Sequence, residues 1–222
     1  MIIGILIILN SCNVKKHIAK NQFLINKYKV EIEGKHSEIS SSEIKTLIKP
    51  DPNSKFLFTR IKLLVHYRLA NKKSKFNTWL NKHFGEEPVF YNEKAIDNIS
   101  HKIGLYLNNI GFMNSSIKHE TKFKNKVANV KFIIVPATPY RIAEINYDVP
   151  DSLLSTFFYK DIKNTLIKKN DIYNAYTFDN ERDRITNDLR NTGYYYFNRN
   201  YIQYVVDSNL LKHAMKVNLV IN

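Results

Sequence analysis

Leu107-Asn108-Asn109-Ile110-Gly111-Phe112-Met113 and Leu189-Arg190-Asn191-Thr192-Gly193-Tyr194-Tyr195 are two copies of one join. In each, a stretch with helical apolar spacing runs into a glycine, then an aromatic residue, then an alternating strand pattern. The copies align from leucine to aromatic without a gap, and their glycines lie 82 residues apart (193 minus 111). Recurrence at one small domain's length points to stacked modules rather than one large core. Gly111 and Gly193 stand where a helix end needs positive φ, which makes them structural helix caps.

Outward from the first join, Ile96, Ile99, Ile103, Tyr106, Leu107 and Ile110 share one face of a helix expected over 93–109. Strands follow at 112–123 and 127–135, with a turn around Lys124-Asn125. Pro136 and Pro139 mark the joint to the next module. There a strand at 140–149 leads to a helix over 151–168, with Leu153, Leu154, Phe157 and Ile162 apolar, and a helix over 179–191. A hairpin closes the chain: a strand at 195–206, a turn at 207–209 and a strand at 213–221, where Met215, Val217, Leu219 and Ile221 alternate with more polar neighbours.

Upstream the pattern is less regular. A strand is expected over 23–33, and Ser40-Ser41-Ser42-Glu43 reads as a capped helix start. Pro50 and Pro52 prevent that helix from continuing. A helix over 56–70 and a stripe of Phe76, Trp79, Leu80 and His83 ending at Gly85 complete the segment. The expected division is a signal segment at 1–12, a degenerate module at 21–83, and full modules at 84–137 and 138–222. The fold class is α+β, as tandem β-α-α-β-β modules, each with a three-stranded mixed sheet and its helices on one face.

That order has a topological consequence. The last two strands of a module form an antiparallel hairpin, and the first strand pairs parallel to the third across the long helical connection. The second strand is left at an open edge. Lysines and a glutamate on 112–123 blunt it against indiscriminate pairing. These strands nonetheless lack proline, so they can accept an extended segment by β-augmentation. The edge residues expected to line such a site are Met113, Ser115, Ile117, His119 and Thr121, with Tyr195, Phe197, Arg199 and Tyr201 in the second copy.

Composition narrows the function classes. The hydrophobic content of 44% supports packed cores rather than disorder. A net charge of +14 fits an anionic partner or a lysine-rich solvated surface. No ribonucleoprotein box or GxxG loop is present, so no nucleic-acid partner is expected. His17, His36, His66, His83, His101, His119 and His213 are scattered without metal-ligand spacing. The six glycines form no phosphate loop, and Asp179-Asn180-Glu181-Arg182-Asp183-Arg184 reads as a solvated, salt-bridged helix face. With no nucleophile–base pair, no cofactor and no metal site in view, the chain is expected to bind rather than catalyse.

Cys12 is the sole cysteine, so no intramolecular disulfide exists. It follows the apolar run Ile2–Leu9, too short to span a bilayer, which needs roughly 20 residues. Leu9-Asn10-Ser11-Cys12 resembles the bacterial lipobox, in which the cysteine sulfur takes a diacylglyceryl group and becomes the mature N-terminus. The basic stretch that usually precedes such a run is missing.

The modules resemble POTRA domains (polypeptide-transport-associated), whose usual signature is the helix-glycine-aromatic-strand join. The lipobox, Gly85-Glu86-Glu87-Pro88-Val89, Tyr106–Phe112 and Pro139-Tyr140-Arg141-Ile142-Ala143-Glu144-Ile145, in that order, resemble the N-terminal part of TamL-type translocation and assembly module lipoproteins, relatives of the Omp85 outer-membrane assembly proteins such as BamA. The resemblance implies lipidation at Cys12, outer-membrane attachment and domains facing the periplasm. It implies nascent outer-membrane β-barrel proteins and other assembly-machinery proteins as partners. A membrane β-barrel follows the last POTRA domain in that family, whereas this sequence stops at Asn222; the barrel is therefore expected as a C-terminal continuation or a separate chain. Two other readings stand beside it: a basic lipoprotein that binds an anionic polymer or lipid surface, and a structural spacer.

Overall fold

The computed structural model describes residues 14–56, 59–72, 74–211 and 213–222. Leu9, Asn10, Ser11 and Cys12, and with them the expected signal segment, lie outside the described residues. The chain divides into two compact units, one drawing on residues up to Ile103 together with Ile117–Val135, the other formed by Gly104–Ser116 with Pro136–Asn222.

The first unit holds strand β1 (Leu24–Ile32), then helices α1 (Ser41–Leu47), α2 (Ile61–Leu69) and α3 (Lys75–Phe84). Helix α4 (Glu93–Asn109) begins in this unit, and β2 (Ser116–Lys124) and β3 (Val127–Val135) close it. Ser40 caps α1 as its sequence suggests, its hydroxyl accepting from Glu43 N–H at 3.3 Å. The sheet order is β1-β3-β2. β1 runs parallel to β3 with Val30 opposite Phe132. The two-residue turn at Asn125-Lys126, both at positive φ, joins β2 to β3 as only an antiparallel pair allows.

This pairing corrects the expected domain division. β1 lies in the stretch expected to be a separate degenerate module at 21–83, yet its hydrogen-bonding partner is β3. A lone strand with short helices has no second strand with which to satisfy its backbone, so it borrows one from 127–135. Among the described residues there are thus two sheets, not three.

Ala128, Val130, Phe132 and Ile134 on β3 are buried, as are Ile96, Ile99 and Ile103 on α4. A second cluster gathers Val14, Ile18, Leu24, Leu63 and Leu64. α3 carries the stripe of Phe76, Trp79, Leu80 and His83 without burying it. None of its residues is buried, and Phe76 and Trp79 are 65% and 50% exposed.

The second unit follows β-α-α-β-β order: β4 (Arg141–Asp148), α5 (Ser152–Asp161), α6 (Ala175–Asn191), β5 (Ile202–Leu211) and β6 (Ala214–Ile221). Its sheet order is β4-β6-β5, with β4 parallel and β5 antiparallel to β6. Met215, Val217, Leu219 and Ile221 are buried on one face of β6. Leu219 and Ile221 cluster with Leu154 and Phe158 of α5 and with Ile185 and Leu189 of α6, so both helices cover that face. The stripe of α5 is therefore Leu154/Phe158, while Leu153 and Phe157 point outward. α5 also ends earlier than expected, passing into a 3₁₀ turn at Ile162–Asn164.

The two units share more than the join. α4 and α6 each have 17 residues, and both start and finish 82 positions apart (175 minus 93, 191 minus 109). Phe90 and Ile172, the later partners of the isolated antiparallel bridges Leu24–Phe90 and Arg141–Ile172, keep the same offset (172 minus 90). Each bridge lays a short segment along the start of the first strand's outer edge. Glu31 pairs with Lys131 across β1 and β3 (2.9 Å), and Glu144 with Lys216 across β4 and β6 (3.1 Å). Lys131 holds the Glu31 carboxyl below its ordinary range, and Lys216 does the same for Glu144.

The run 179–184 is only partly the solvated face expected. Asp179 and Asp183 are exposed, but Glu181 is buried and accepts from Leu166 N–H at 3.0 Å and from Arg184 Nε at 2.9 Å. Arg184 also pairs with Asp161 and Asp188. A buried carboxylate is tolerable here because its oxygens are engaged by a guanidinium and a backbone amide.

Both cap glycines have positive φ, +87° at Gly111 and +113° at Gly193. They differ in surroundings. A Cβ at Gly111 would come within 2.6 Å of the Tyr173 carbonyl oxygen and 2.8 Å of Ile172 Cγ2, whereas at Gly193 it would meet nothing within 4 Å. Gly193→Ala is expected to cost about 1–2 kcal/mol, from backbone strain alone. Gly111→Ala should cost clearly more, because strain adds to a collision with backbone. Urea titrations of the two variants measure the difference.

Tyr204 packs against both core clusters of the second unit, with its ring edge-on to Phe178 (4.8 Å) and under the Arg182 guanidinium (5.1 Å). Its buried hydroxyl has no hydrogen-bond partner among the described residues, and burial pushes its pKa well above the ordinary tyrosine value. Above about pH 10 an unfolded tyrosine ionises while Tyr204 keeps its proton, so the unfolded state binds fewer protons and stability falls as pH rises. Tyr204→Phe should leave stability at pH 7 within about 1 kcal/mol of the parent or above it. It should also soften the alkaline loss, as read by thermal melts between neutral and strongly basic pH.

Candidate strand-binding edges

In both sheets the third strand of the unit sits in the middle, hydrogen-bonded on both sides, and the second strand lies outside it. The open edges expected from module order are therefore β2 and β5, though their limits differ from those read in sequence.

β2 starts at Ser116. Met113 and Ser115 precede it, in a turn where Asn114 takes a left-handed φ of 62°. The Ser115 hydroxyl donates to the Phe112 carbonyl (2.7 Å) and accepts from Ala137 N–H (3.0 Å). It ties the join to the segment after β3 and presents nothing to a visitor. Ile117, His119 and Thr121 do lie on β2, on its half-buried face. His119 stands 3.9 Å from both Glu93 and Asp97 of α4, so that face is turned to the helix. Ser116, Lys118, Glu120 and Lys122 occupy the exposed face.

The second edge shifts further. Tyr195, Phe197, Arg199 and Tyr201 are not on a strand. Tyr195 is exposed in a turn, Phe197 is buried in the core, and Arg199–Tyr201 form a 3₁₀ turn capped by Asn198. The cause is α6, which straps this segment down. Arg190 Nε donates to the Phe197 carbonyl (2.8 Å) and Arg182 Nε to the Ile202 carbonyl (2.9 Å). Arg199 pairs with Asp183 at 3.2 Å and Asp179 at 3.4 Å. With the Phe197 and Ile202 carbonyls committed to a helix and 199–201 wound into a turn, the segment offers no continuous ladder. Arginines at 182 and 190, on the helix just before, were the signal available in sequence.

β5 then runs past the turn expected at 207–209 to Leu211, which stands opposite Ala214 of β6. The bond from Asn222 N–H to the Tyr201 carbonyl (3.0 Å) assigns that pair to the bonded positions of the β5–β6 ladder. Alternation along an antiparallel pair then aims the backbone of Gln203 and Val205 at β6, and that of Ile202, Tyr204 and Val206 away from it. Arg182 on the Ile202 carbonyl fits this assignment and closes the first outward position. Among the described residues, Tyr204 and Val206 are left as an unclaimed donor–acceptor pair, flanked by Val205 at 58% exposed. No proline interrupts either edge. Among the described residues, no group of three or more His, Cys, Asp or Glu is arranged to hold a metal ion, and no helix is long and apolar enough to cross a membrane.

The chain matches no protein-family model and no curated protein. Among solved structures it is similar to POTRA domains 3–5 of BamA from Haemophilus influenzae, at 15% identity and a TM-score of 0.41, covering 92% of this chain and 68% of that one. It is also similar to POTRA domains 1–2 of the periplasmic part of Omp85 from Anabaena, at 12% identity and a TM-score of 0.35, covering 92% and 98%. BamA from Haemophilus ducreyi lacking POTRA domains 1–3 aligns at 10% identity and a TM-score of 0.38, over 90% of this chain and 29% of that one.

Proline substitution separates the two sides of β5. Val206→Pro removes an outward N–H and should leave the hairpin folded, within about 1 kcal/mol of the parent. Val205→Pro removes a bond to β6 and should cost about 3 kcal/mol or more. Equal losses in circular-dichroism melts of the two variants contradict the assigned ladder.

Proposed function

We propose that this chain is a tandem pair of POTRA-type modules acting in outer-membrane protein assembly, which captures extended segments of unfolded β-barrel clients along the free edge of β5 and, more selectively, of β2. The observation that carries the reading is the first-third-second strand order repeated in both sheets, which puts the second strand at an outer edge of each, opposite the first strand whose outer edge is bridged at its start. Affinity comes from backbone hydrogen bonds, so the client is recognised as a strand rather than as a sequence. β5 suits an alternating apolar client, with valine beside its open donors. β2 carries Lys118, Glu120 and Lys122 and disfavours segments that bring charge against them.

In this reading the chain works by binding, without catalysis or a cofactor. The TamL-type assignment adds a lipid anchor at Cys12, an outer-membrane location with the modules in the periplasm, and a β-barrel partner, continuous or separate. Other assembly proteins can use the same edges, because a folded partner with its own exposed strand satisfies the same amides.

The test is a titration of the isotopically labelled chain with an extended peptide copied from an outer-membrane barrel strand. The amides of Tyr204 and Val206 should shift and gain exchange protection, while those of β4 and β6 stay in place. A scrambled peptide containing proline should do neither. Saturating peptide that leaves the Tyr204 and Val206 amides unmoved ends the β5 proposal.

A further inference from the structure

Between Asp51 and Glu86 the chain carries eight Lys or Arg residues and no Asp or Glu, more than half of the net +14 within a small part of its length. α3 lies in this stretch, and its aromatic side chains are outside the core. Phe76, Trp79 and Phe84 are all half exposed or more. They form one continuous group of rings: Phe76 stacks on Trp79 at 6.2 Å, and Trp79 meets His83 at 4.7 Å and Phe84 at 6.1 Å. Lys75 and Lys82 are seven residues apart, close to two helical turns, and so lie along the same border of the ring stripe. Both are exposed, as is Lys72 just before the helix.

We propose that the aromatic face of α3 seats this unit on an anionic phospholipid surface, with Phe76, Trp79 and Phe84 entering the headgroup layer and Lys72, Lys75 and Lys82 contacting lipid phosphates. A short helix with aromatic residues on one side and lysines at the border has the character of an interfacial anchor. Tryptophan is at home at that depth, where its ring is half in hydrocarbon and its N–H half in water. Lysine stems lie along the apolar layer while their ammonium groups reach the phosphates. The absence of carboxylates from the whole stretch removes the repulsion that would otherwise oppose approach. In the same stretch, burial and then the neighbouring charges of Arg60 and Lys27 depress the pKa of Lys55, a sign of crowded positive charge.

Nucleic acid is the other polyanion such a field attracts, but the rings argue against it. Phe76 stacks on Trp79 and His83 tilts against it, which leaves less of the indole plane open for a base to stack on. The inference is independent of strand capture by β5, which belongs to the other unit.

Trp79 is the only tryptophan in the chain, so its fluorescence reports on this helix alone. The full chain is mixed with phosphatidylcholine vesicles, with and without phosphatidylglycerol. Emission should move to shorter wavelength and become protected from acrylamide only with the anionic vesicles, and high salt should reverse both. The triple variant Lys72→Glu, Lys75→Glu, Lys82→Glu changes exposed positions only. It should keep its circular-dichroism spectrum and partition to anionic vesicles at least about tenfold more weakly. Unchanged Trp79 emission with phosphatidylglycerol, or equal binding by the triple variant, overturns the proposal. So does a single-stranded oligonucleotide that shifts Trp79 at lower concentration than the vesicles do.

Discussion

Parallel pairing of the first strand with the third is the interaction from which the rest of each unit follows. A parallel neighbour cannot be reached by a tight turn, so the intervening chain must cross over as helices. In the second unit those helices, α5 and α6, cover the buried face of β6. The third strand, bonded on both sides, becomes the centre of the sheet and carries its cleanest alternation of buried residues. The second strand can then attach only on the far side of the third. An open ladder is therefore a by-product of how the core is closed, and any function that uses it comes without a dedicated pocket.

The outer edge of the first strand is treated differently. A segment entering the long helix lays a bridge on it, at Phe90 in one unit and Ile172 in the other. The chain thus covers one edge of each sheet at its start and leaves the opposite edge bare. In the second unit α6 also trims the bare edge, with arginines holding the Phe197 and Ile202 carbonyls. Between the Ile202 clamp and the register shift after Asp207, two outward backbone positions remain, Tyr204 and Val206. A short edge limits self-association.

Much of this was legible in the residues. The gap-free match around Gly111 and Gly193 marked the ends of α4 and α6 to the residue, because a helix that stops needs a left-handed position and glycine takes it at least cost. Alternation marked β3 and β6, since every second residue faces a core. The candidate edge was legible in topology and misplaced in detail. Tyr195, Phe197, Arg199 and Tyr201 alternate with suitable chemistry, but Arg190 of the preceding helix claims the Phe197 carbonyl and Arg199–Tyr201 wind into a 3₁₀ turn. Periodicity reports which face a side chain takes and says nothing of where a carbonyl finds its partner.

What the sequence determined by itself was local: which segments are helical or extended, where they stop, and that the unit recurs at a fixed interval. Those follow from φ preferences and from spacing within a few residues. Only the tertiary structure decided that β1 belongs to the sheet of β3, about a hundred residues away, that the aromatic stripe of α3 faces outward, and that Glu181 is buried rather than solvated. Each depends on which surfaces meet after the chain closes on itself. An amphipathic pattern states that a face wants cover without stating whether this chain supplies it.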